Sequence, residues 1–205
     1  MDAALAGVVL AAGESRRMGT PKQLLPFGDC TVLERVVDTL LAAEVGQVVV
    51  VLGHLADRVR TVLGERPVQA IVNEDYRQGM LTSVKCGVQA ISADYNAVLF
   101  ALGDQPQIDS VVVREVIGAY RTGDAGIVIP RYNGKKGHPI IINLSRYREA
   151  IIDLPDSVGL NALMQTYADD VRLIDVATED IIHDIDVPED YTRELARFME
   201  RRASR

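Results

Sequence analysis

Ala6-Gly7-Val8-Val9-Leu10 runs without a break into Ala11-Ala12-Gly13-Glu14-Ser15-Arg16-Arg17-Met18-Gly19-Thr20-Pro21-Lys22. The first five residues are apolar with no polar alternation, the pattern of a strand covered on both faces. The strand empties into a loop of small residues, glycines and cations. Small side chains let backbone approach a ligand closely. Gly13 and Gly19 are expected to allow tight bends and to free N–H groups to point inward. Arg16 and Lys22 suit a polyphosphate. The loop is neither a dinucleotide fingerprint nor a P-loop, because GxGxxG and GxxxxGK[ST] are both absent. A solvated basic loop after a strand would carry the same residues.

The same kind of apolar run recurs along the chain. Val48–Leu52, Ala70–Val72, Ala97–Leu102, Ile127–Pro130 and Pro139–Asn143 read as further buried strands. Helical patterns lie between them. Thr31 reads as an N-cap, and Val32, Leu33, Val36, Val37, Leu40 and Leu41 follow it at helical spacing. His54–Leu63, Leu81–Ile91, Ser110–Tyr120, Ser145–Ile152 and Asn161–Tyr167 read similarly, and a last helix starts near Pro188 and runs into the basic tail Arg193–Arg205. Strand and helix in alternation predict an α/β fold: three α/β/α layers around a mostly parallel, Rossmann-like sheet, with ligands at the carboxyl ends of the strands. No repeat or linker divides residues 1–205, which read as a single domain.

Bulk properties narrow the function. Of 205 residues, 48% are hydrophobic and 25% charged, which accommodates a core and argues against global disorder. The net charge of −7 with no basic stripe argues against general nucleic-acid binding. Cys30 and Cys86 stand far apart and outside any metal-ligand spacing, as a reducing compartment would have it. Ala3–Ala12 is apolar, but acidic Asp2 precedes it and Glu14, Arg16 and Arg17 end it, so it does not read as a signal peptide. No apolar run reaches the ~18 residues of a membrane span. A cytoplasmic protein is expected.

Four further constellations carry chemistry. Leu102-Gly103-Asp104-Gln105-Pro106 places a carboxylate at the tip of a buried strand, where it could hold Mg²⁺ or merely cap a turn. In His183-Asp184-Ile185-Asp186-Val187-Pro188, Asp184 and Asp186 share a face of an extended segment, and one of them could be a second metal ligand. Glu189 and Asp190 fit the acidic first turn of a helix. Gly137-His138-Pro139 puts a histidine before a strand, either structural or functional, at the end of a polar, glycine-containing stretch, Arg131–His138, that reads as a mobile flap. In Asn73-Glu74-Asp75-Tyr76-Arg77-Gln78-Gly79-Met80-Leu81-Thr82-Ser83-Val84-Lys85, Gly79 breaks the chain. Thr82 and Ser83 then enter the first turn of a helix, to meet a base or phosphate or to serve as caps.

Taken together and in this order, these motifs resemble the molybdenum cofactor nucleotidyltransferases, most closely the cytidylyltransferase branch. The resemblance runs from Val8 to about Tyr191. Its carriers are the LAAGxSxRMGxPKxLLP pattern, Gln78-Gly79 through Ser83, Gly103-Asp104-Gln105-Pro106, Gly137-His138-Pro139 and Asp184-Ile185-Asp186-Val187-Pro188. The guanylyltransferase branch tends to show LAGG where this chain has Leu10-Ala11-Ala12-Gly13. The resemblance implies that Leu10, Ala11, Ala12 and Gly13 line the nucleotide. Arg16 and Lys22 would hold the triphosphate, and Ser83 would sit near the base. Asp104 would bind Mg²⁺ with Asp186, ahead of Asp184, as second ligand, and His138 would lie near the acceptor. The implied partners are an NTP, CTP in preference, the terminal phosphate of molybdopterin or its metallated form, and a molybdoenzyme that receives the product.

Such an acceptor phosphate is largely ionised near neutral pH and needs no general base, in keeping with the lack of an evident Ser-His or Cys-His pair. Other readings stay open at this point. They are nucleotidyl transfer to another small phosphate, a non-catalytic maturation factor, and a dinucleotide-dependent oxidoreductase, against which the missing GxGxxG counts.

Overall fold

The computed structural model describes residues 4–203. Ala3 of the apolar opening run, and Ser204 and Arg205 of the basic tail, lie outside the described residues. In chain order the elements are β1 (Leu5–Leu10), β2 (Pro26–Phe27), β3 (Cys30–Thr31), α1 (Val32–Ala42), β4 (Val48–Leu52), α2 (Ala56–Leu63), β5 (Gln69–Val72), α3 (Met80–Ala90), β6 (Ala97–Leu102), α4 (Ser110–Arg121), β7 (Ile127–Tyr132), β8 (Lys135–Lys136), β9 (Ile140–Asn143), α5 (Leu144–Asp153), α6 (Asn161–Thr166), β10 (Val171–Asp175) and α7 (Pro188–Ala203).

The main sheet has the order β10-β7-β9-β6-β1-β4-β5, with β8 paired to β7. Neighbours are parallel except around β9, which runs antiparallel to both β6 and β7, and in the β7-β8 hairpin. The sheet is mostly parallel, as expected. The reversed direction of β9 was not legible, because apolar periodicity carries no strand direction. Every residue of β4 and of β6 is buried, since helices cover both faces. Val9, Val50 and Leu99 pack with α1, α2 and α4 on one side. Val8, Val51 and Phe100 pack with α3 and α5 on the other. Two-residue alternation along each strand thus feeds two cores and gives the three layers.

Local chemistry explains the helix starts. Thr31 caps α1 in a reciprocal box: its Oγ1 accepts from the Glu34 N–H at 3.3 Å, and Glu34 Oε2 accepts from the Thr31 N–H at 2.7 Å. Asp109 caps α4 through the Val111 N–H, and Asn143 caps α5 through the Arg146 N–H. A third, smaller cluster of Met18, Phe27, Val32 and Ile185 receives Tyr191, Leu195 and Phe198 and so seats α7 on the β2-β3 hairpin. This cluster anchors the segment that carries Asp184 and Asp186.

The expected flap is different in form. Arg131–Lys136 is the β7-β8 hairpin, turning at Asn133 (φ 47°) and Gly134 (φ 80°), the left-handed pair of a two-residue hairpin loop. Gly137 is no hinge. It is buried, its N–H donates to Pro130 O at 2.9 Å, and a Cβ there would collide with the Ile181 backbone. Close approach of two chain segments is what requires glycine at that position. No helix among the described residues is long and apolar enough to cross a membrane.

Candidate active site

A cavity of about 380 Å³ opens at the carboxyl ends of β1 and β6. One end is lined by Leu10, Ala12, Gly13, Tyr76, Met80 and Ser83, and the other by Arg17, Lys22, Asp104, Asp184 and Asp186. The site therefore has a small-residue and aromatic end and a charged end.

The loop after β1 is pinned on all sides. Ala11 N donates to Val51 O, Gly103 N to Leu10 O, and His54 N to Ala12 O, at 2.9, 2.9 and 3.2 Å. Gln23, 3% exposed, donates Nε2 to the carbonyls of Ala11 and Gly13 at 3.2 and 3.1 Å. Ser15 Oγ donates to Gln23 Oε1 and accepts from the Lys22 N–H. The three carbonyls of Ala11, Ala12 and Gly13 are thus occupied. The N–H groups of Ala12 and Gly13 have no hydrogen-bond partner among the described residues, so this loop offers donors. The tight bends fall at Ser15 (φ 53°) and Gly19 (φ 68°). Gly13 lacks a left-handed φ, and a Cβ there would meet no neighbour within 4 Å. It is small beside the cavity, which corrects its expected role as a bend.

At the charged end, Lys22 Nζ donates to Asp104 Oδ2 at 2.5 Å and to Asp186 Oδ1 at 3.2 Å. Burial opposes the charge on Lys22, but the two carboxylates more than offset it and raise its pKa. Arg17 Nη2 holds the other oxygen of Asp186 at 2.8 Å. Asp184 accepts from Gln105 Nε2 at 2.8 Å. Burial first, and then the negative charges of Asp104 and Asp186, push its pKa up to about 6. Ile185, fully buried, donates its N–H to Asp104 O and so fixes the 184–186 segment to the tip of β6. Gln107 adds two bonds to the same segment, to Asp180 O and His183 O.

Three carboxylates facing one cavity favour a cation between them, and the Lys22 ammonium occupies that place between Asp104 and Asp186. The donor set fits a hard divalent ion. Among the described residues no group of three or more His, Cys, Asp and Glu side chains is placed to hold a metal ion by itself. Mg²⁺ does not need one, since it is commonly held by one or two carboxylates together with substrate phosphates.

The structure brings together Leu10, Ala12, Gly13, Lys22, Ser83, Asp104, Asp184 and Asp186. Ala11 stands behind the cavity, its side chain in the core. Arg16 points to solvent, 80% exposed, and pairs with Glu14 at 2.6 Å. The left-handed turn at Ser15 instead directs Arg17 to the site. His138 is outside the cavity lining but at the same end of the sheet: extending the antiparallel register Phe100↔Ile140 by two residues sets it level with Leu102. Its N–H donates to Ile181 O at 3.0 Å, and the bond to Pro139 is cis.

Burial lowers the His138 pKa to about 4, so the ring is neutral. Its folded pKa lies below its unfolded value, so the stability it contributes is complete above ~6.5 and is lost as pH falls from there toward 4. Denaturant titrations at pH 7 and 4.5 should show the wild type losing more stability than His138→Gln, by up to about 2 kcal/mol. Equal losses would mean that the ring is well hydrated.

Comparison with known proteins now bears on the whole arrangement. Residues 7–171 match the family described as MobA-like NTP transferase domain. The chain belongs to this family. It is similar to the molybdenum cofactor cytidylyltransferase of Escherichia coli, at 27% identity over 94% of this chain and 96% of the relative. It is likewise similar to the nicotine blue oxidoreductase of Paenarthrobacter nicotinovorans, at 31% identity over 92% of this chain and 95% of that one. The bifunctional protein GlmU of Leifsonia xyli is 41% identical over 62% of this chain, which spans only 27% of that protein. Among solved structures, Rv0371c of Mycobacterium tuberculosis superposes with a TM-score of 0.85 at 31% identity, covering 96% of this chain and 99% of that one. A manganese complex of the same protein superposes with a TM-score of 0.80 at 28% identity, over 96% of this chain and 100% of that one. This MobA-like NTP transferase is therefore a nucleotidyltransferase. The molybdenum cofactor cytidylyltransferase matches it over nearly its whole length, whereas GlmU shares only one part with it.

Proposed function

We propose that this protein transfers CMP from CTP to the terminal phosphate of molybdopterin, releasing pyrophosphate, with Mg²⁺ as the metal. The observation that carries this reading is the Lys22–Asp104–Asp186 cluster at one end of a cavity whose other end is built of small residues, Tyr76 and Ser83. The charged end suits a triphosphate and the other end a nucleoside. Mg²⁺ held by Asp104 and Asp186 would supply Lewis-acid charge neutralisation and a template for the phosphates. Lys22 neutralises charge on the transferred and leaving phosphates, and Arg17, already at the same carboxylate, takes the phosphate-binding role expected of Arg16, whose side chain points to solvent. The Ala12 and Gly13 N–H groups bind nucleotide acceptor atoms. The acceptor phosphate attacks the α-phosphorus in line and needs no base from the protein. Catalysis is then positioning plus electrostatics. The protein acts as a single domain in the cytoplasm, and a molybdoenzyme receives the product.

The test is a matrix of NTPs against phosphorylated acceptors, scored by pyrophosphate release with Mg²⁺. We expect CTP to exceed GTP in kcat/KM, because a mismatched base leaves buried polar groups unpaired. GTP equal to or better than CTP would overturn the base assignment while leaving the reaction class intact. The near-full-length likeness to the nicotine blue oxidoreductase favours a second reading, redox chemistry in the same cleft. Binding and oxidation of NAD(P)H in place of pyrophosphate release would select it.

His138 tests the acceptor side. His138→Ala is expected to raise the acceptor KM or lower kcat while the Kd for CTP stays within about twofold, and deletion of Gly134–Lys136 should act in the same direction. Weakened CTP binding with acceptor use spared would place His138 in the nucleotide site.

A further inference from the structure

Hydrogen-bond directions at the nucleoside end resolve to one answer, and a residue outside the cavity sets it. Asn73 follows β5, and its N–H is tied to Leu52 O at 2.8 Å. Its side chain is 6% exposed. Oδ1 accepts from the Asp75 N–H at 3.0 Å. A backbone N–H can only donate, so the amide cannot be the other way round. Nδ2 therefore faces the hydroxyls of Thr82 and Ser83, at 2.8 and 3.0 Å. An amide NH₂ has no acceptor capacity, so both hydroxyls must accept, and each keeps one hydrogen to place elsewhere. The Thr82 hydrogen has two carbonyls within reach, Gly79 O at 2.9 Å and Asp75 O at 3.1 Å. Ser83 is 4% exposed, its hydroxyl makes no other hydrogen bond among the described residues, and it lines the cavity beside Ala12, Tyr76 and Met80.

We propose that Asn73 is a positioning residue for base selection: by donating to Ser83 it commits the Ser83 hydroxyl to donate into the cavity. This rests on the nucleotide-site reading of that cavity. The Ala12 and Gly13 N–H groups are also donors, so the nucleoside end selects a base edge rich in acceptors. Cytosine offers O2 and N3 side by side. On the corresponding Watson–Crick edge guanine sets N1–H and an amino group beside its carbonyl, and its paired acceptors O6 and N7 lie on the other edge. A ligand N–H facing the Ser83 hydrogen would leave two buried donors opposed, a loss of about ten- to a hundredfold in affinity.

Asn73→Asp tests this almost isosterically. A carboxylate keeps the Asp75 N–H bond but turns an acceptor toward Ser83, drawing its hydrogen back from the cavity. Wild type, Asn73→Asp, Ser83→Ala and the double variant are compared in Kd for the preferred NTP and in kcat and KM for CTP and GTP. Each single change should raise that Kd and KM about tenfold or more, change kcat less than KM, and shrink the CTP-to-GTP preference. The double variant should be no worse than Ser83→Ala alone. The proposal is overturned if Asn73→Asp binds as wild type does, if it costs as much in the Ser83→Ala background as in the wild type, or if it lowers kcat and leaves KM alone. Should Asn73→Asp fail to fold, Asn73→Ala enters the same cycle with the same expectations. A wild type that releases no pyrophosphate from any NTP refutes the transferase reading itself. One that does, with additive substitutions, refutes only the role of Asn73.

Discussion

Asp104→Asn is expected to lower kcat/KM for nucleotidyl transfer by ~10³-fold or more, with the fold intact. The side chain follows the end of β6 by two residues and lines the cavity, beside Lys22 and in the field of Asp184 and Asp186. An amide of the same shape still accepts from Lys22 Nζ through its oxygen, so the packing of the Lys22 stem is kept. Three carboxylates around one cavity repel one another: after burial, the charges of Asp104 and Asp186 help to push the Asp184 pKa up. Removing one of those charges therefore relieves strain as well as losing an ion pair, and the melting temperature should move little. The pairing of a large kinetic loss with unchanged stability is what separates a metal ligand from a turn-capping aspartate, whose loss would cost stability of order 1 kcal/mol and little rate. Kinetics across a Mg²⁺ series together with thermal melts check both halves. Wild-type turnover at limiting Mg²⁺ would remove Asp104 from the metal site.

What could be read from sequence follows from how each signal arises. β1, β4 and β6 are covered on both faces, so their residues are uniformly apolar and stand out. β10 lies at the sheet edge with Arg172 and Leu173 exposed, and it shows neither continuous apolarity nor clean alternation. β2, β3 and β8 are two residues long, too short for any period to register.

The site divides in the same way. Lys22, Asp104 and Asp186 were legible because charge at the end of an apolar strand or beside a buried residue is conspicuous. Gln23, Gln105, Gln107 and Asn73 were not. Each is nearly fully buried and spends its amide on backbone or side-chain partners distant in sequence. A single amide in a loop looks like a surface residue until its partners are known. The one available signal was position, since all four lie within two residues of a motif or a strand end. Arg16 and Arg17 were indistinguishable as letters, and the left-handed turn at Ser15 decides which of them reaches Asp186.

Lys22→Ala should cost ~2.7–4 kcal/mol of transition-state stabilisation, or about 10²- to 10³-fold in kcat/KM, the usual loss of one preorganised charge-stabilising donor. A second consequence follows from its position. Lys22 is 13% exposed and is the cation shared by Asp104 and Asp186. Its removal leaves two partly buried carboxylates facing Asp184 without an ammonium, a source of destabilisation. The variant should therefore melt below the wild type in metal-free buffer and recover most of the difference when millimolar Mg²⁺ is added, while the wild type responds less to the metal. Activity should not recover, because a metal ion restores the charge between the carboxylates but does not replace the phosphate contact. Steady-state kinetics and melts with and without Mg²⁺ separate the two effects. A near-normal kcat/KM would reduce Lys22 to a structural counter-ion, and a melting temperature insensitive to both the substitution and Mg²⁺ would show that the carboxylates are too well hydrated to need either cation.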